Sequence, residues 1–110
     1  YKNIGLAYEE LEKYGKARMY YKKALDIFKT IYMNDHRDIA MALNNLATCY
    51  SVKEEEKNSD LYATVFLDYM IDSYKMYKRL KIEDDVAMAA QNIGAMYFDL
   101  EFEKETTSFL

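Results

Sequence analysis

Three segments of this chain repeat one another: Asn3-Ile-Gly-Leu-Ala-Tyr8, Asn45-Leu-Ala-Thr-Cys-Tyr50 and Asn92-Ile-Gly-Ala-Met-Tyr97. The asparagines stand 42 residues apart (3 to 45) and then 47 apart (45 to 92). The approach to the later two also matches, since Asp38-Ile-Ala-Met-Ala-Leu-Asn44 parallels Asp85-Val-Ala-Met-Ala-Ala-Gln91. A period of this size marks stacked supersecondary units, each too small to bury its apolar face alone. In every copy a bulky aliphatic follows the asparagine, then a small residue, with an aromatic three positions on. That spacing sets aliphatic and aromatic one turn apart on one helix face, and the small residue lets a neighbouring helix come close.

Between the first two copies, Ala17, Tyr20, Tyr21, Ala24, Leu25 and Phe28 recur at three- and four-residue intervals, which predicts a second amphipathic helix. Gly15 is expected to mark the turn before it. Asn34-Asp-His-Arg-Asp38 breaks the pattern after it, with Asp38 placed to cap the next helix and Asp85 doing the same one unit later. In the second unit Ala63, Phe66, Leu67, Met70, Ile71 and Tyr74 carry the same pattern. There Lys53-Glu-Glu-Glu-Lys-Asn-Ser59 lengthens the connection and accounts for most of the wider spacing. The predicted fold is all-α: antiparallel helix-turn-helix pairs, about two and a half of them, in units of approximately 1–34, 35–81 and 82–110. Aligned by their tyrosines, the units place Tyr1 inside a first helix and Leu110 midway through a second, so both ends are expected to cut through a unit. Phe102, Phe109 and Leu110 would then leave an apolar end.

Composition agrees. Hydrophobic residues make up 51% and proline is absent, which favours buried helices over folds built from many tight turns. The 15 basic and 19 acidic residues give a net charge of −4, the wrong sign for displacing counterions from phosphates, so no nucleic acid partner is expected. No apolar run approaches the roughly 18 residues of a membrane span. The single cysteine, Cys49, excludes an internal disulfide and, with one histidine, His36, makes no zinc site of the usual kinds. A reducing cytoplasm is the expected setting, with no metal or cofactor.

These residues resemble tetratricopeptide repeats, and in particular the longer 42-residue variety of kinesin light chains. Ile4, Gly5 and Tyr8 match the first-helix signature; Ala17, Tyr21 and Ala24 match the second. The run Asp35-His-Arg-Asp-Ile-Ala-Met-Ala-Leu-Asn-Asn-Leu-Ala47 is similar to the light-chain type, with Arg37 where that family usually has proline. In the second unit Ala63 keeps the small residue, while Leu67 and Met70 replace the usual aromatic and alanine. The resemblance implies an α-α superhelix in which the first helix of each pair lines a concave wall that holds a partner protein.

On that orientation, Asn3, Asn45 and Asn92 lie off the core stripe and face the groove. Asn44 and Gln91 stand beside them, Met41 and Met88 one turn to one side, Leu6, Thr48 and Ala95 to the other, and Glu10, Val52 and Asp99 two turns on. Asparagine is a poor helix former, by up to about 0.7 kcal/mol against alanine. Its amide, however, offers a donor and an acceptor that can pair with the N–H and C=O of an extended peptide whatever its side chains. Related repeat proteins use asparagines in this way. Each such bond nets roughly 0.5–1.5 kcal/mol, whereas micromolar affinity needs about 8 kcal/mol. Side-chain contacts, with the two methionines as adaptable apolar surfaces and Glu9, Glu10 and Asp99 as charge selectors, must supply the remainder.

Other features read as structure. The twelve tyrosines fall mostly at helical spacing beside alanines and leucines. Lys75-Met-Tyr-Lys-Arg-Leu-Lys81 closes a helix, where cations complement the dipole. Glu54-Glu55-Glu56 and Glu83-Asp84-Asp85 diverge around a helix without a converging ligand. His36 between two aspartates has no serine or cysteine at suitable spacing to complete a catalytic relay, and no Gly-rich phosphate loop is present. The expected function is therefore a non-enzymatic module that binds a peptide segment of a partner, as scaffold or cargo adaptor. The alternatives are a peptide-sensing domain of a bacterial quorum-type receptor, or an architectural repeat that self-associates end to end.

Overall fold

The computed structural model describes residues 2–50 and 59–108, with side chains for 2–50 and 61–98. Five helices follow in order: α1 Lys2–Glu10, α2 Tyr14–Ile31, α3 Arg37–Thr48, α4 Ser59–Leu80 and α5 Glu83–Ser108. Among the described residues there is no strand. Each helix packs on the next, α1 on α2, α2 on α3, α3 on α4 and α4 on α5. The result is the expected all-α stack of consecutive antiparallel helices. It is elongated, 50 × 30 × 19 Å, with a radius of gyration of 14.7 Å, against about 13 Å for a compact chain of this length. No helix among the described residues is long and apolar enough to cross a membrane.

The core sits on either side of α3. Ala17, Tyr21 and Leu25 of α2 meet Ile39, Ala42, Leu43, Leu46 and Cys49 on one side. Ala47 meets Phe66 and Met70 of α4 and Ala89 of α5 on the other. Two small residues set the approach of helices. A Cβ on Gly5 would fall 2.8 Å from the Tyr21 ring, so the bare backbone of α1 is what lets that ring lie flat against it. At the α3–α4 crossing the buried Ser73 hydroxyl donates to the Ala40 carbonyl at 2.7 Å, which satisfies that hydroxyl.

The connections differ from the sequence expectations in three places. The α1–α2 turn does not use Gly15, which lies inside α2; instead Glu12 adopts φ 59° while Glu12 and Lys13 donate to the Glu9 and Tyr8 carbonyls. The same closure ends α4, with Lys81 at φ 61° and Lys81 and Ile82 donating to Lys78 and Tyr77. Each is a Schellman motif closed by a residue other than glycine. Secondly, α3 is capped by His36, whose Nδ1 accepts from the Asp38 amide at 3.0 Å, and not by Asp38. The imidazole reaches this position because it stacks on Tyr32, with centroids 3.6 Å apart and planes within 6°. Asp38 and Asp85 instead occupy first turns of α3 and α5, where their charge favours the helix N-terminus.

Thirdly, the turn and second helix expected in the last unit do not form among the described residues, because α5 runs unbroken through Ser108. Phe98-Asp-Leu-Glu-Phe-Glu-Lys-Glu105 contains neither glycine nor proline, and nothing in it stops a helix. Of the stripe of aliphatics and tyrosines only Leu46 is fully buried, while Tyr8, Tyr50 and Ile93 are partly buried against the core. Leu46 is 1% exposed, but Ile4 is 44% and Tyr97 51%, since α1 and α5 each have a neighbour on one side alone. The charged connection 53–58, Val52, Phe109 and Leu110 lie outside the described residues, as do the side chains of Asp99 and Phe102.

Candidate functional site

The first-helix face of α3 borders a crevice. Met41 and Asn45, one turn apart, line it with Asp38 and Ala42 of the same helix. Tyr21, Ala24 and Phe28 of α2 and Lys2 of α1 complete its lining. The crevice exists because Ala24 and Ala42, both buried, keep α2 and α3 from filling the gap between Tyr21 and Met41. Its volume is about 20 Å³.

The half-buried Asn45 amide makes no hydrogen bond within the described residues. Its backbone carbonyl is doubly used, accepting from the Thr48 hydroxyl at 2.8 Å and the Cys49 thiol at 3.5 Å. Thr48 is half-buried, with its hydroxyl turned onto its own helix, and it does not line the crevice. Asp38 accepts from the Tyr32 hydroxyl at 2.9 Å and lies 3.7 Å from His36 Nδ1; donation to this carboxylate holds the Tyr32 phenol above its ordinary range.

The other candidate residues divide. Asn3 is exposed on α1, and on α5 Asn92 is half-buried while Gln91 and Met88 are exposed. None of these four lines the crevice. Asn44 falls on the stripe of Ala40 and Ala47 that faces α4, and its Oδ1 is fully excluded from solvent without a partner. Glu10 is exposed, whereas Glu9 is committed to packing: its Oε2 accepts from the Tyr21 hydroxyl at 2.6 Å. Burial first, and then this bond, raise the Tyr21 phenol well above its usual value. The side chain of Asp99 lies outside the described residues.

Sequence inspection missed Lys2, Asp38 and the α2 wall as parts of the site. Sequence pattern alone points Asp38 to capping, and only the alanine pair Ala24 and Ala42 signals a gap. His36 is engaged as cap and stacking partner, and Cys49 is buried in the core. A family model for the tetratricopeptide repeat matches residues 1–57, just over half of the 110-residue chain. Neither a curated protein nor a solved structure matches it.

Proposed function

We propose that this chain, which belongs to the tetratricopeptide repeat family, holds an extended segment of a partner protein along the first-helix faces of α1, α3 and α5, acting as scaffold or cargo adaptor. Repeats of this family generally mediate protein–protein interactions and are typically not enzymes. The observation that carries the proposal is the Asn45 amide, half-buried beside a crevice and without a hydrogen-bond partner among the described residues. Its donor and acceptor are not used among the described residues, so a peptide backbone can take both of its ends. The kinesin-light-chain likeness belongs to this proposal and is supported by the 42-residue spacing of Asn3 and Asn45. So does a cytoplasmic setting, supported by a lone thiol that is buried.

Replacing Asn45 and Asn92 together by alanine should weaken peptide binding about tenfold or more, from the loss of two to four bonds, and leave the melting temperature within a few degrees. A peptide-array hit titrated against both proteins measures it. Equal affinity for the two would reject the amide ladder.

End-to-end self-association is a second possibility, favoured by one observation. Tyr97 and Phe98, 51% and 70% exposed, project from α5 near Gly94, where an added Cβ would meet nothing within 4 Å. Sedimentation across concentrations separates a monomeric binder from a self-associating array.

A further inference from the structure

The crevice between α2 and α3 has a size and a charge balance that narrow its occupant, given the peptide-binding role proposed above. We infer that it receives a small, uncharged side chain, alanine or one near its size, from the peptide residue whose backbone the Asn45 amide holds. About 20 Å³ is little more than the space of one water-sized group, so a methyl enters and a leucine or phenylalanine does not without displacing the walls. Those walls are apolar where they are deepest: Tyr21, Ala24 and Ala42 are all at most 5% exposed. A buried methyl gains there, and a hydroxyl or amide driven to the bottom finds no partner.

The lining carries one charge of each sign, Lys2 on α1 and Asp38 on α3, so it offers no net charge to attract either a lysine or a glutamate. Asp38 is in addition already bonded by the Tyr32 hydroxyl. Asn45 shares the lining with these groups. Its donor and acceptor can engage one peptide residue through both N–H and C=O, which fixes that residue's side chain against the crevice.

Met41 sets the limit. It lines the crevice, is half-buried, and bears no core load comparable to that of its fully buried neighbours Ala40 and Leu43. Met41→Ala should therefore open the crevice without unfolding the stack.

Labelled nonapeptide pools test this on the full chain, with the central residue fixed as Ala, Ser, Val, Leu, Phe, Lys or Glu and the other positions randomised. The Ala pool should bind the wild-type chain about fivefold tighter than the Leu, Phe, Lys and Glu pools. With Met41→Ala, confirmed folded by circular dichroism, the Leu pool should draw level with the Ala pool. Pools that bind alike, or a preference for large or charged central residues, overturns the small-residue crevice while leaving peptide binding in place. Failure of every pool to bind the folded wild-type chain overturns the peptide-binding role, and this inference with it.

Discussion

At the scale of single residues, the same signature position behaves oppositely at the two ends of the chain. Gly5 and Gly94 both stand third in an Asn-aliphatic-small triplet. A methyl at Gly5 would meet the Tyr21 ring at 2.8 Å, whereas one at Gly94 meets nothing within 4 Å. Gly5→Ala should therefore destabilise the fold by about 1–3 kcal/mol as an overpacking change. Gly94→Ala should stabilise it by about 0.5–1 kcal/mol through helix propensity alone. Urea denaturation of the two variants side by side reads both signs, and the same sign for both would contradict the packing described. The identity of the small residue was visible in the sequence. What it packs against was not, because that depends on whether a second helix folds back on the first.

At the scale of elements, helix existence was legible and helix ends were not. Apolar spacing from Ala17 to Phe28 predicts α2, and the structure places Ala17, Tyr21, Ala24 and Leu25 in its buried face. The ends escaped because two turns are closed by hydrogen bonding around Glu12 and Lys81, residues with no preference for the left-handed region, and because an imidazole does the capping usually done by an aspartate. Local residue type misleads when tertiary packing, here the Tyr32–His36 stack, supplies the missing incentive. Relieving the left-handed strain by Glu12→Gly or Lys81→Gly should each raise stability by about 0.5–1 kcal/mol, measurable as an increased denaturant midpoint at unchanged slope. A loss of stability in either would mean that the side chain contributes more than its backbone geometry costs. The candidate site shows the same division: Met41 and Asn45 were identified from their register on α3, but the α2 wall and Lys2 come from other elements, and register within one helix carries no information about them.

At the scale of the whole molecule, buried phenols tie stability to pH. Burial, reinforced by the nearby Asp85 and opposed by Arg37, pushes Tyr77 up to about 12, and Tyr21 is raised as well. An unfolded tyrosine ionises near pH 10. The folded state thus keeps these groups neutral where the unfolded chain has begun to lose its protons, so their contribution is complete below about pH 10 and declines as pH rises from there through about 12. Melting temperature should fall across that window, and Tyr77→Phe should make the fall shallower; an unchanged slope would remove Tyr77 from the account. At the acid end the two-pronged Arg79–Asp35 bridge holds the Asp35 carboxyl below its usual range. Both groups are exposed, so its influence is slight.

The position of α3, clasped on both sides while α1 and α5 are gripped on one, also decides how such a molecule comes apart. Thermal fluctuations can peel either outer helix away without disturbing the middle, so the flanks breathe first and the centre last. The crevice borders that centre, and of its lining residues only Lys2 belongs to an outer helix. Fraying of α1 would therefore remove one charge from the crevice and leave its α2 and α3 walls in place.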